Sequence, residues 1–191
     1  DPFLACFPSW VVPQHADGSG PYTAAEQFRT ADEWQKPPGI PGHPLGTDEL
    51  GRDVLTRLVY GAGISLRVGL VGTAVAVLIG LFLGSLAGFR GGRVDMLISR
   101  LTDTFFAFPS LLLTIGILAV FEKPNELVIF AALGLVGWPG VARIVRGQVI
   151  SLRSSEFVLG ARALGQTDTK ILLSHLLPNC MGPVVVVSTL M

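Results

Sequence analysis

The sequence predicts an all-α membrane protein, a polytopic bundle of transmembrane helices, and three observations carry that expectation. Half of the 191 residues are apolar and 15% are charged, with a mean hydropathy of +0.57. Residues 68–89 hold no charge and lie between Arg67 and Arg90; as a helix they would reach about 33 Å, enough for a bilayer core. Further apolar runs lie at 97–121, 127–145 and 181–191. The expected division is an extracytoplasmic loop with an interfacial helix over 1–65 and a transmembrane domain over 66–191.

Residues 1 to about 46 are rich in Pro and Gly and read as an extended surface segment. A short helix fits 24–34, and Trp10, Tyr22 and Trp34 suit a membrane interface. Thr47 or Asp48 is expected to cap a helix with an apolar stripe at Leu50, Val54, Leu55, Leu58, Val59 and Ala62, ending near Gly61 to Gly63. In the first span Gly80, Gly84 and Gly88 recur every fourth residue. They share one face on which a second helix can approach closely.

Arg90-Gly91-Gly92-Arg93 is a polar turn. The second span, 97–121, carries Asp103 three residues after Arg100, a spacing that lets the two pair on one helix. An acidic group at membrane depth is costly and is read as functional by default. Pro109 should kink this span and expose backbone groups that could line a passage. Asp103 and Pro109 are therefore the pathway candidates. Residues 122–126 form an acidic turn, and the third span is expected to run on past the interface. A fourth begins at Met181. Arg90, Arg93, Arg100, Arg143, Arg146 and Arg153 gather on one side, which the positive-inside rule makes cytoplasmic.

Between the last two spans lies 146–178, whose core is EFVLGARALGQTDTKILLSHLLP from Glu156 to Pro178. Phe157, Val158, Ala161 and Leu164 recur at helical spacing, Gly165 suits a helix C-cap, and Asp168 suits the N-cap of a second piece that Pro178 stops or kinks. Such a hairpin is either a docking knob or an amphipathic loop on the headgroups.

Chemistry of other kinds finds no support. Net charge is zero, so there is no basic footprint for nucleic acid. Cys6 and Cys180 make neither a disulfide framework nor a metal site. His15 and His43 lack a second ligand at useful spacing. Asp17-Gly18-Ser19-Gly20 lacks the later acidic positions of a calcium loop, and no phosphate-loop pattern occurs. A membrane-embedded protease using Asp103 or His175 would need a second catalytic group, and none is evident.

The hairpin carries a resemblance. Ala161-Arg162-Ala163-Leu164-Gly165 followed by Leu177-Pro178-Asn179 is similar to the "EAA loop" of permease subunits of bacterial ABC importers. His43-Pro44-Leu45-Gly46-Thr47-Asp48-Glu49-Leu50-Gly51-Arg52-Asp53 and Phe108-Pro109-Ser110 resemble the dipeptide/oligopeptide/nickel branch, in its C-type permease. Leu159 and Gly160 stand where the motif has Glu and its first Ala, His175 at its apolar position, and Gly63 where this branch often has Arg. The resemblance implies a non-enzymatic transport subunit in the cytoplasmic (inner) membrane of a bacterium or archaeon. It implies a second homologous permease, two cytoplasmic ATPases and an extracytoplasmic solute-binding protein as partners. No cofactor is expected on this chain, since ATP and Mg would sit on the ATPases. Glu156, Ala161, Arg162, Ala163, Gly165, Asp168, Leu177 and Pro178 become the ATPase-coupling candidates. It also implies a helix before Asp1 and further helices after Met191. Peptides are the first substrate expectation, nickel chelates or other small solutes the alternative, and an ATPase-independent channel or scaffold the more distant one.

Overall fold

The computed structural model describes residues 35–40 and 43–189. Cys6, Trp10, His15, residues 17–20, Tyr22, the expected helix at 24–34 with Trp34, and the chain end at Met191 lie outside the described residues. The chain divides into two compact units, Asp1–Arg67 and Val68–Met191, each described by itself. Among the described residues there is no strand, and the helices follow in the order α1 Val54–Arg90, α2 Gly92–Phe106, α3 Ser110–Ala119, α4 Glu126–Leu152, α5 Glu156–Ala163, α6 Asp168–Ile171, a π-helical turn Leu172–Leu176, and α7 Leu177–Ser188.

In the first unit a knot of turns precedes α1. Gly51 at φ 71° folds the chain back, so that the Asp48 amide donates to the Arg52 carbonyl at 3.0 Å and Val54 donates to Gly46 at 3.1 Å. This moves the helix cap. Thr47 and Asp48, the expected caps, serve the knot instead: Thr47 Oγ1 accepts from the Lys36 amide, and Asp48 Oδ1 accepts from the amides of Leu50 and Arg52, all at 2.9 Å. Asp53 caps α1, its Oδ2 accepting from Thr56 N–H at 2.6 Å while its Oδ1 lies 3.0 Å from His43 Nδ1 in a buried pair. Burial opposes the charged form of Asp48, but the Arg52 and Leu50 amides and the Arg52 guanidinium outweigh it and hold the carboxyl below its ordinary range. Asp53→Ala is expected to remove cap and pair together. Loss of such a cap costs about 1–2 kcal/mol, so amide exchange in the first turn of α1 should speed by about tenfold.

The expected apolar stripe is corrected. Thr56, Val59 and Gly63 are buried, whereas Leu50 is 49% and Leu58 57% exposed. Leu50 precedes the helix, which shifts the register, and a helix entering lipid turns its small residues inward. Nor does the helix end near Gly61 to Gly63. With no water to satisfy a broken backbone, an apolar helix continues through glycine despite a propensity cost of about 1 kcal/mol.

In the second unit α2, α3 and α7 all pack on α4. Asn125 caps α4, its side chain accepting from Val128 N–H at 3.0 Å, and α4 runs on to Leu152 as the sequence led one to expect. Trp138 is 2% exposed and meets Phe105 edge-on, with ring centroids 5.4 Å apart. The second span is not one kinked helix: α2 and α3 meet at 85°. Pro109 lacks an N–H and pushes Phe108 out of the helical region, so the chain leaves the helix there and restarts at Ser110. The last helix starts at Asp168, not Met181, because α6, the π turn and α7 run on as one. Among the described residues three helices are long and apolar enough to cross a membrane: α1, α4, and the continuous Asp168–Ser188. The α2–α3 pair adds a fourth if the bent pair is one span. This is a membrane protein.

Candidate functional site

The hairpin between α4 and α7 has a buried root and a bare tip. Val158 and Ala161 of α5, Ile171 of α6, Leu176, and Cys180 and Val184 of α7 form one core with Val141, Val145 and Val149 of α4. Val158, Ile171 and Leu176 are fully buried. The turn is a Schellman motif: Gly165 at φ 75° donates to the Arg162 carbonyl at 2.9 Å, and Gln166 donates to Ala161 at 3.1 Å. Leu164, next to the glycine, is 84% exposed, and Phe157, Leu159, Ala163 and Asp168 are exposed with it. A hydrophobic tip on a packed root is shaped for contact with something outside the chain.

Glu156 opens α5, exposed in its first turn, where the helix dipole favours an acid. Arg162 lies 3.8 Å from Asp168 across the turn and 5.8 Å from the centroid of the Phe89 ring at the end of α1. Arg153 Nη1 donates to the Gly88 carbonyl at 3.3 Å. Two expectations need correction. Ala161 faces the core and holds the hairpin in place; it is no part of an outer surface. The cap of the second piece is Thr167, with Asp168 as its first helical residue.

Pro178 does not stop the helix either. Its ring would strike the carbonyl four residues back, and it has no N–H to offer. The turn before it widens instead, so that Leu177 N–H reaches the Leu172 carbonyl, five residues away. Asn179 Nδ2 donates to the His175 carbonyl at 2.6 Å. His175 Nε2 lies 3.0 Å from Gln166 Oε1, a contact from the helix back to the turn. Reading the sequence assigned no role to Gln166 or Asn179; the helix-widening effect of Leu177-Pro178 was the available signal.

Gly80, Gly84 and Gly88 lie against α4. A Cβ at Gly80 would stand 2.5 Å from Val141 Cβ, one at Gly84 2.5 Å from the Ala142 carbonyl oxygen, and one at Gly88 2.8 Å from the Arg146 carbonyl oxygen. The glycines bring α1 and α4 to backbone contact on the very residues that root the hairpin.

Asp103 does not pair with Arg100. Its Oδ1 accepts from Arg143 Nη2 of α4 at 3.0 Å, with both side chains more than half exposed. Packing of α2 on α4 through Ile98 and Thr102 brings the two helices side by side, and the interhelical partner wins. Arg143 also sits 4.4 Å over the Phe106 ring. One turn further along α4 Arg146 grips Asp95 with both arms, Nη2 donating to Oδ2 at 2.7 Å and Nε to Oδ1. These pairs bound a cleft of about 340 Å³ between α2 and α4. In the sequence Arg143 and Arg146 mark only orientation and nothing singles out Asp95; the signal available is that all three are charges at the ends of apolar runs. After the break at Pro109, Ser110 and Thr114 of α3 line a second cleft of about 420 Å³ with Gly72 and Thr73 of α1 and Gly137 of α4.

Comparison with known proteins bears on this architecture. The family model described as "Binding-protein-dependent transport system inner membrane component" matches residues 80–191. The chain is 43% identical over 155 residues to the oligopeptide transport system permease protein OppC of Bacillus subtilis (strain 168), covering 81% of this chain and 50% of that protein. It is 42% identical over 170 residues to the dipeptide transport system permease protein DppC of the same organism, covering 89% and 52%. Against the di/tripeptide transport system permease protein DppC of Pseudomonas aeruginosa (strain UCBPP-PA14) it is 38% identical over 192 residues, covering 98% and 60%. The chain thus spans between half and three fifths of the length of these relatives.

Proposed function

Because the chain belongs to the family of inner membrane components of binding-protein-dependent transport systems, we propose that it is part of a permease subunit of an ATP-driven peptide importer. On this reading it forms half of the passage with a homologous permease in the cytoplasmic membrane of a bacterium or archaeon. It receives peptides from an external binding protein and does no catalysis itself. ATP and Mg are bound and ATP is hydrolysed on two cytoplasmic ATPases, to which the Glu156–Pro178 hairpin couples it. The names of the matched relatives support peptides as the substrate. Asp103 and the break at Pro109 are proposed to lie along the passage.

One observation carries the coupling assignment: Leu164 is bare beside the Gly165 turn while Val158, Ile171 and Leu176 beneath it are fully buried. A tip rooted in the packing of α1, α4 and α7 moves with those helices as a body. Moving a two-state passage from mostly closed to mostly open needs a bias of about 5.5 kcal/mol, more than one ion pair at the tip supplies but within reach of a docked surface. The Arg-rich ends of the spans support placing the hairpin on the cytoplasmic side. The test is labelled dipeptide uptake by the full-length protein, co-expressed with its partner subunits in cells lacking other peptide importers. ATP-dependent uptake that unlabelled peptide competes away is the expected result. Uptake of a nickel chelate without peptide competition would move the substrate assignment.

A further inference from the structure

The cleft between α2 and α4 has two ion pairs, and they are not alike. Asp95 and Arg146 are joined by two bonds and are the more buried pair, at 21% and 35% side-chain exposure. That pair, with the packing of Ile98 and Thr102, ties α2 to α4. Asp103 and Arg143 share a single bond and are 61% and 57% exposed. An exposed pair with a single bond contributes about 0–1 kcal/mol, so it is a poor clamp. It is also easily opened, and opening it presents a carboxylate and a guanidinium side by side on the wall of a space of about 340 Å³. Ser99 and Thr102 add hydroxyls to the lining, and the exposed Phe106 ring lies under Arg143.

We propose that this cleft is a subsite for the charged ends of a zwitterionic peptide, Arg143 taking the terminal carboxylate and Asp103 the α-ammonium. The inference rests on the peptide-permease reading above and assigns a place in the passage to that substrate. The exchange conserves charge: one internal ion pair opens and two ion pairs to the peptide form, with no bare charge left behind. Arg suits the carboxylate because its planar fork can bond both oxygens. A ligand of one sign fits less well. An anionic lipid headgroup would meet Arg143 but be repelled by Asp103.

The test is equilibrium binding of a labelled free dipeptide to the full transporter in nanodiscs of phosphatidylcholine, without binding protein, competed by the same dipeptide N-acetylated or C-amidated. Arg143→Gln should weaken the free and N-acetylated forms by about tenfold or more, the usual loss for a bond to a charged group, and spare the amide. Asp103→Asn should weaken the free and amidated forms and spare the N-acetylated one. Four results would overturn the inference: wild-type transporter that binds none of the three; variants that bind all three as wild type does; variants that lose all three forms alike, which marks a structural pair; and displacement of the dipeptide by phosphatidylglycerol, which marks a lipid site. Dipeptide uptake by the wild type, measured separately, tells failure of the subsite from failure of the peptide-permease reading.

Discussion

Gly165→Asp in the full-length protein is expected to abolish peptide uptake while the assembled transporter goes on hydrolysing ATP. Gly165 sits at φ 75°, and among the described residues nothing lies within 4 Å of where a Cβ would stand. A residue other than glycine pays about 1–2 kcal/mol in this region, and Asp and Asn pay less than most because their short polar side chains bond locally. The hairpin should therefore still form, since its root of Val158, Ile171 and Leu176 is untouched. What changes is the tip, where a carboxylate and added bulk appear beside Leu164, close to Asp168. On the proposed coupling role, the surface no longer seats against its partner and hydrolysis runs without transport. Gly165→Asn separates the causes, having nearly the same shape and no charge; uptake retained in Asn and lost in Asp assigns the effect to charge. Arg162→Glu should uncouple in the same way, because it reverses the charge facing Asp168. Uptake and ATPase rates measured on one preparation decide, and normal uptake in Gly165→Asp and Arg162→Glu would remove the hairpin from the coupling path.

Gly84→Leu is expected to be the most damaging single change to the fold. Even a Cβ at this position would stand 2.5 Å from the Ala142 carbonyl oxygen and 2.9 Å from Val145 Cβ, and backbone cannot rotate away as a side chain can. Forcing extra methylenes into a packed site costs about 1–3 kcal/mol, and here α1 and α4 must also separate. Separation strips cover from Val145 and Val149, which root the hairpin. The variant should be degraded or fail to assemble, read as a severalfold loss of full-length protein in membranes. Gly147→Leu is the comparison, since among the described residues nothing lies within 4 Å of its Cβ position. Equal membrane levels of the two variants would contradict the close-packed α1–α4 interface.

Local signals in the sequence foretold local structure. The four-residue spacing of Gly80, Gly84 and Gly88 can be read as one face because a helix turns every 3.6 residues, and that face is where α4 lies. Gly165 can be read as a turn because few other residues take positive φ. The fully apolar run at 68–89 can be read as a span from length alone. What escaped depends on contacts between distant residues. Asp103 had Arg100 three residues away, and no spacing rule shows that Arg143, forty residues on, lies closer. Asp95 and Arg146 are in the same position. The cap fell at Asp53, not Thr47 or Asp48, because the knot at Gly51 consumed the earlier candidates. Pro109 and Pro178 show how one residue type gives opposite results. The first breaks its helix at 85°, while the second is absorbed by widening one turn in a helix that packs on α4.

The central claim is that the hairpin couples the membrane helices to an ATPase. The direct measurement places a single cysteine at Ala163, exposed beside the Gly165 turn, in full-length protein with Cys6 and Cys180 replaced. Crosslinking to a co-expressed ATPase subunit is then followed with and without ATP. The account predicts a crosslink whose yield changes with nucleotide. No crosslink to the ATPase, with control cysteines in the membrane helices still pairing to the sister permease, would contradict it.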